Sequence, residues 1–178
     1  MFLKFRAGVR PVRNPESSGY EVGMSLSLRT GTFAVLAALL STAALAAASP
    51  AITAAIAARK ANFKEIGGAF KTINDEIKSG SPDFNSVRPL ARDIAARSAL
   101  TLKHFPKGSG PESGIKTRAK PAIWKDYASF SKLQKDMVTS ANALSAAAAT
   151  GDVAALGKAR AALGATCKSC HDKFREEG

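Results

Sequence analysis

The chain has 178 residues and a formal net charge of +12 at neutral pH. That length fits one domain, and the positive field suits anionic partners. The basic residues are scattered with no run of five, and the few aromatics fall at core spacing, which argues against nucleic acid as the partner.

Residues 1–23 are basic, proline-bearing and without apolar period, so they read as a non-native or mis-annotated extension ahead of Met24. Residues 24–48 read as a signal peptide. "MSLSLRTGT" carries one arginine and no acid, and the apolar stretch that follows ends in small residues. Ala44-Leu45-Ala46 or Ala46-Ala47-Ala48 offers the A-x-A cut site. Its strongest apolar part, Phe33 to Ala48, falls short of the roughly 20 residues that a membrane span requires. The expectation is therefore export with cleavage, leaving residues 49–178 as the mature domain. The segment before it carries five basic and two acidic residues, so the mature charge is +9.

Glycine, proline and serine divide that domain into blocks at 51–79, 83–105, 121–149 and 152–177. None alternates with the period of two that a strand requires, and all are alanine-rich, so helix is expected throughout. Ile52, Ile56, Phe63, Ile66, Phe70, Ile73 and Ile77 form the inward seam of the first block. Phe84, Val87, Leu90, Ile94, Leu102 and Phe105 form that of the second. Ile123, Tyr127, Phe130, Met137, Ala141, Leu144 and Ala148 form the third, and Leu156, Leu163, Cys167, Cys170 and Phe174 the last. Steps of three and four are those of nearly antiparallel helices. Gly80 is placed to end the first helix, and Asp83 and Asp152 to cap the second and fourth. The expected fold is all-α, an antiparallel four-helix bundle, a class that holds cofactors between facing helices.

Both cysteines and one of the two histidines stand in "GATCKSCHDKFREEG" at 164–178. A Cys167–Cys170 disulfide would join consecutive turns and close almost no loop. A dithiol redox centre wants a βαβ setting, which is missing here. A structural zinc site wants four ligands, and His104 supplies only one more. C-x-x-C-H instead meets the needs of covalent haem: two thiols one turn apart for the vinyl groups, then an axial imidazole. The reading is one haem c, with His171 on the iron and the porphyrin against the last helix. The other three helices then close its far face.

With "CKSCHDKFR" at the C-terminus, "AKPAIW" at 119–124, "HFPKGSG" at 104–110 and "ARKANFKEIG" at 58–67, the chain resembles cytochrome c′, the four-helix-bundle class of monohaem cytochromes c. The resemblance implies that Cys167 and Cys170 carry the thioethers and that His171 is the proximal ligand. It puts Arg175 beside the proximal face, Arg59 near a haem propionate, Phe63 in the distal pocket, and Leu102 and Phe105 in further distal packing. Trp124, Phe130 and Phe174 complete the expected cofactor-facing set. Arg59 has a separate rationale, because it fills a gap in the first seam between Ile56 and Phe63. A charge at an inward position should be paired, or else its long side chain snorkels out.

Bundle relatives that only carry electrons place a methionine on the first helix. Here Phe63 stands at that position, and no methionine occurs in 49–136. The expectation is five-coordinate iron behind an apolar distal face that admits a small neutral gas, nitric oxide or carbon monoxide, with or without electron transfer. The alternative is a low-spin carrier with His104 or Met137 as sixth ligand. No distal acid–base pair is visible on the seams, so no enzyme is expected. The leader implies a periplasmic protein, the charge suits an acidic redox partner, and the resemblance implies a homodimer through the first helices. Gly67 and Gly68, costly inside a helix, are compatible with such close approach.

Overall fold

The computed structural model describes residues 48–177. The expected extension 1–23, and all but the last residue of the expected leader 24–48, lie outside the described residues. In chain order the elements are α1 (Pro50–Lys78), α2 (Phe84–Leu100), a 3₁₀ turn (Thr101–His104), a second (Pro111–Ser113), α3 (Ala122–Lys125), α4 (Tyr127–Thr150) and α5 (Val153–Phe174). Among the described residues no helix is long and apolar enough to cross a membrane.

Each long helix starts on a side chain that satisfies an orphan amide. Ser49 accepts from the Ile52 amide with Pro50 at the first helical position, and Asp83 accepts from Asn85. Asp126 accepts from Ser129, and Asp152 from Ala154 and Ala155. Gly151, with φ of 76°, ends α4 in the left-handed conformation that glycine tolerates best.

Cross-links at one end of the bundle join starts of helices to ends of their neighbours, which therefore run antiparallel. Gln134 near the start of α4 donates to the Ser98 carbonyl near the end of α2 at 2.7 Å. On the α1–α2 side the buried Asn62 donates to the Arg97 carbonyl and to Thr101 Oγ1. Lys173 at the end of α5 pairs with Asp126, the α4 cap, at 2.7 Å. The four long helices thus form the expected antiparallel bundle, and α1 and α5 approach each other least among its neighbours.

One apolar cluster fills the bundle, built from Ile66, Ile73, Val87, Ile94, Leu144, Leu156 and Leu163 with small alanines between them. Leu144 is fully buried there. A Leu144→Ala variant should lose about 3 kcal/mol, since close-packed neighbours relax only partly around the hole. Urea unfolding measures this, and a loss near zero would mean the site collapses freely.

The third block departs from the expected single helix. Asp126, at φ −125° and ψ 56°, separates α3 from α4, because its carboxylate caps the second helix instead of continuing the first. The break turns Tyr127 outward to 44% exposure, although its spacing suggested an inward position. The second block also ends differently: after Leu100 it tightens into the 3₁₀ turn that delivers Phe105.

Candidate haem cleft

A second apolar cluster closes the other end of the bundle: Phe105, Ala119, Ile123, Phe130 and Phe174, with Phe63, Leu102, Trp124, Leu133 and Cys170 packed against it. Its rings form a chain. Phe63 meets Phe105 edge-on at 6.3 Å, Phe105 meets Phe130 at 4.8 Å, and Phe130 meets Phe174 edge-on at 5.4 Å. Such offsets suit the ring quadrupoles. Beside this wall opens a cleft of about 500 Å³, within the range of cofactor sites.

The cleft gathers residues from α1, the 105–121 connection, α4 and the end of α5. Eight of the eleven expected site residues line it: Arg59, Phe63, Phe105, Phe130, Cys170, His171, Phe174 and Arg175. Three do not. Cys167 packs half-buried against the main bundle core, because the turn of helix separating it from Cys170 carries it towards the bundle interior. Leu102 packs against the back of the aromatic cluster and lines a separate groove between α2 and α4. Trp124 braces the loop, its indole nitrogen 3.3 Å from the Phe105 carbonyl and 3.1 Å from that of Pro106.

Neither alternative sixth ligand reaches the cleft wall. Met137 is buried in the main core with Leu144 and Ile66. His104 is half-buried, and its carbonyl, not its ring, faces Arg59 at 3.5 Å. Phe63 lines the cleft instead.

Arg59 is 4% exposed and serves as the hub of the 104–117 loop. Its Nη2 donates to the Ser109 carbonyl at 2.9 Å and to Thr117 Oγ1 at 2.8 Å, and its Nη1 donates to Ser109 Oγ at 3.2 Å. The guanidinium also stacks 4.6 Å from the Phe105 ring centre. Burial pulls its pKa down, and Glu112 opposes this. The loop itself depends on Gly110: a Cβ there would come within 2.8 Å of Trp124.

A short main-chain pairing ties the proximal end. The Lys120 amide donates to the Phe174 carbonyl at 3.0 Å, and the Glu176 amide to the Arg118 carbonyl at 2.8 Å. Arg118 returns two donors to the Glu176 carbonyl, at 3.0 and 2.8 Å. Arg175 is thereby held with Nη1 3.5 Å from His171 Nε2. Burial first, then the charges of Arg175 and Arg118, lower the His171 pKa. The neutral imidazole so favoured is the form that binds a metal.

The thiols carry the opposite message for redox chemistry. Burial raises both, and Cys170 is pushed up to about 11, with Cys167 adding to the shift. A nucleophilic dithiol centre needs lowered values. Among the described residues no three of His, Cys, Asp and Glu gather into a metal cage. One imidazole and one thiol on a single helix, facing an aromatic cleft of cofactor size, fit a haem whose iron takes its in-plane ligands from the porphyrin. The second thiol stands one turn away.

The spacing rules missed Lys60, Lys64, Lys116, Thr117, Arg118 and Ala119 on the lining. Lys60 and Lys64 follow Arg59 and Phe63 by one residue each, a signal that was there to be used. The loop residues have no period to betray them.

The comparisons with known proteins agree with this geometry. The family model described as Cytochrome C' matches residues 54–175. Cytochrome c' of Rhodospirillum rubrum is 38% identical over 145 residues, covering 81% of this chain and 95% of its own. The nitric oxide complex of a mutant cytochrome c prime from Alcaligenes xylosoxidans superposes with a TM-score of 0.66 at 28% identity, covering 73% and 99% of the two chains. A cytochrome c' with an unusual ligand-controlled dimer dissociation gives 0.66 at 29% identity, covering 73% and 100%. The chain belongs to the cytochrome c′ family.

Proposed function

We propose that this cytochrome c′ is an exported, periplasmic monohaem protein that binds a small neutral gas on five-coordinate iron and exchanges electrons with an acidic protein partner. The observation that carries the reading is that His171 and Phe63 line one cleft, while neither His104 nor Met137 lines it. Cys167 and Cys170 would hold the haem covalently and His171 would ligate its iron. When bound, the haem supplies a redox-active iron with one axial position for a diatomic ligand.

The chain's own residues account for selectivity. Phe63, Phe105 and Phe130 offer an apolar approach where anions and polar ligands lose hydration without recovering hydrogen bonds. Arg59 is committed to the loop by three close donor contacts. Its part is to fix that loop's shape over the cleft and to leave a positive field for a propionate. Arg175, beside His171, sets the charge on the proximal side.

The family resemblance and the ligand-controlled dimer of the relative above support a homodimer through α1. Gly67 and Gly68 are exposed there, with open space where a Cβ would stand, so packing within one chain does not require them.

The test is the electron paramagnetic resonance spectrum of the ferric protein. A dominant high-spin signal is expected. A purely low-spin signal would assign a sixth protein ligand and favour the electron-carrier alternative.

A further inference from the structure

The cleft mouth carries a concentration of positive charge that haem binding does not use up. Arg59, Lys60, Lys64, Lys116, Arg118 and Arg175 all line it, and no acidic residue does. Five of these six side chains are exposed, Arg59 being the buried one. Lys60 and Lys64 stand one turn apart on the same face of α1. Lys116 and Arg118 alternate along the facing connection, and Arg175 follows the end of α5, so the cations approach the opening from three segments.

Elsewhere among the described residues five of the fifteen lysines and arginines have a carboxylate partner. Lys71 pairs with Asp75, Arg97 with Asp93, Lys132 with Asp136, Lys168 with Asp172, and Lys173 with Asp126. Among the described residues none of the six cleft cations has a carboxylate within ion-pair distance. Arg118 is held in place by carbonyl contacts that leave its charge uncompensated. Neighbouring acids such as Glu65, Glu112 and Glu176 remain outside the lining.

We infer that the rim formed by Lys60, Lys64, Lys116 and Arg118 is the docking surface for the acidic protein partner, seated over the cleft mouth. This deepens the reading above and rests on it in one respect. Two haem propionates would neutralise two of the six charges, leaving the outer ones to a partner. A charged ring around a concave opening focuses its field on whatever approaches the opening. Exposed charges of this kind govern encounter and orientation more than final affinity. The rim curves around a cleft instead of running along a stripe, which favours a convex acidic protein patch over an extended polyanion.

The test uses the haem-loaded protein and a fluorescently labelled acidic flavodoxin as probe, titrated by anisotropy at about 0.01 M salt, where exposed charges are felt over roughly 30 Å. The Lys60→Glu/Lys64→Glu variant should weaken binding by about tenfold or more. A control with the same charge change on other exposed surface, Lys135→Glu/Lys158→Glu, should weaken it by less than about threefold. Equal losses in both, no binding by the unaltered protein, or tighter capture of a single-stranded oligonucleotide than of flavodoxin would each overturn the assignment. The visible spectrum of the same samples keeps the two failures apart. A missing covalent haem band rejects the haem reading, whereas an intact band with equal losses rejects only the docking surface.

Discussion

Replacing Arg59 by alanine is expected to cost about 3 kcal/mol of stability, because it strands the fully buried Ser109 and takes a donor from half-buried Thr117. The Ser109 carbonyl and Thr117 Oγ1 lose their 2.9 and 2.8 Å donors, and Ser109 Oγ keeps only its own bond to the Pro106 carbonyl. Phe105 loses a stacked cation as well. Arg59→Lys should restore less than half of the loss. An ammonium is a point charge and does not reproduce the planar fork that serves two loop residues at once. Urea unfolding of the three proteins measures this. A loss below about 1 kcal/mol for the alanine variant would mean that Trp124 and Gly110 alone hold the loop.

The second large effect is expected at Phe63. Its ring belongs to both apolar clusters and meets Phe105 edge-on, so it joins the bundle core to the cleft wall. On the proposed reading, Phe63→Ala removes packing on the side where an incoming ligand must make room. Lowering that barrier by about 1.4 kcal/mol speeds carbon monoxide association tenfold, and an increase of at least that size is expected from flash photolysis. The same substitution should destabilise the fold by about 2 kcal/mol, below the range for fully buried phenylalanines because the ring is only half-buried. Association unchanged despite that loss would take Phe63 off the ligand's path and leave it a packing role.

Much of the architecture is written in local signals. Alternating steps of three and four mark the helices, Asp83 and Asp152 mark two starts, and C-x-x-C-H marks the proposed haem anchor on the last helix. These features act within one or two turns, which is why spacing alone discloses them. Tyr127 and Cys167 show where that reasoning stops. Tyr127 keeps the seam spacing, but the carboxylate of Asp126 gains more by capping α4 than by continuing α3, and the phase shifts. Cys167 lies on the inward face as expected, yet the bundle core and the cleft divide that face between them, a boundary set by tertiary packing.

The 105–121 connection was the least legible part. Ser109, Thr117 and Arg118 act through main-chain contacts and single hydroxyls, and no periodicity announces such partners. The need of Arg59 for a partner could be foreseen from its inward place; the identity of that partner could not. The basic rim had a similar fate. Each lysine reads alone as a solvated charge, and only the fold brings two turns of α1, the connection and the end of α5 around one opening.

The absorption spectrum of the ferrous protein, before and after carbon monoxide, tests the central claim most directly, that the haem iron His171 would hold takes no second ligand from the protein. A five-coordinate high-spin spectrum that converts to a carbonyl spectrum on adding the gas is the result expected. A six-coordinate low-spin spectrum unmoved by the gas would contradict it.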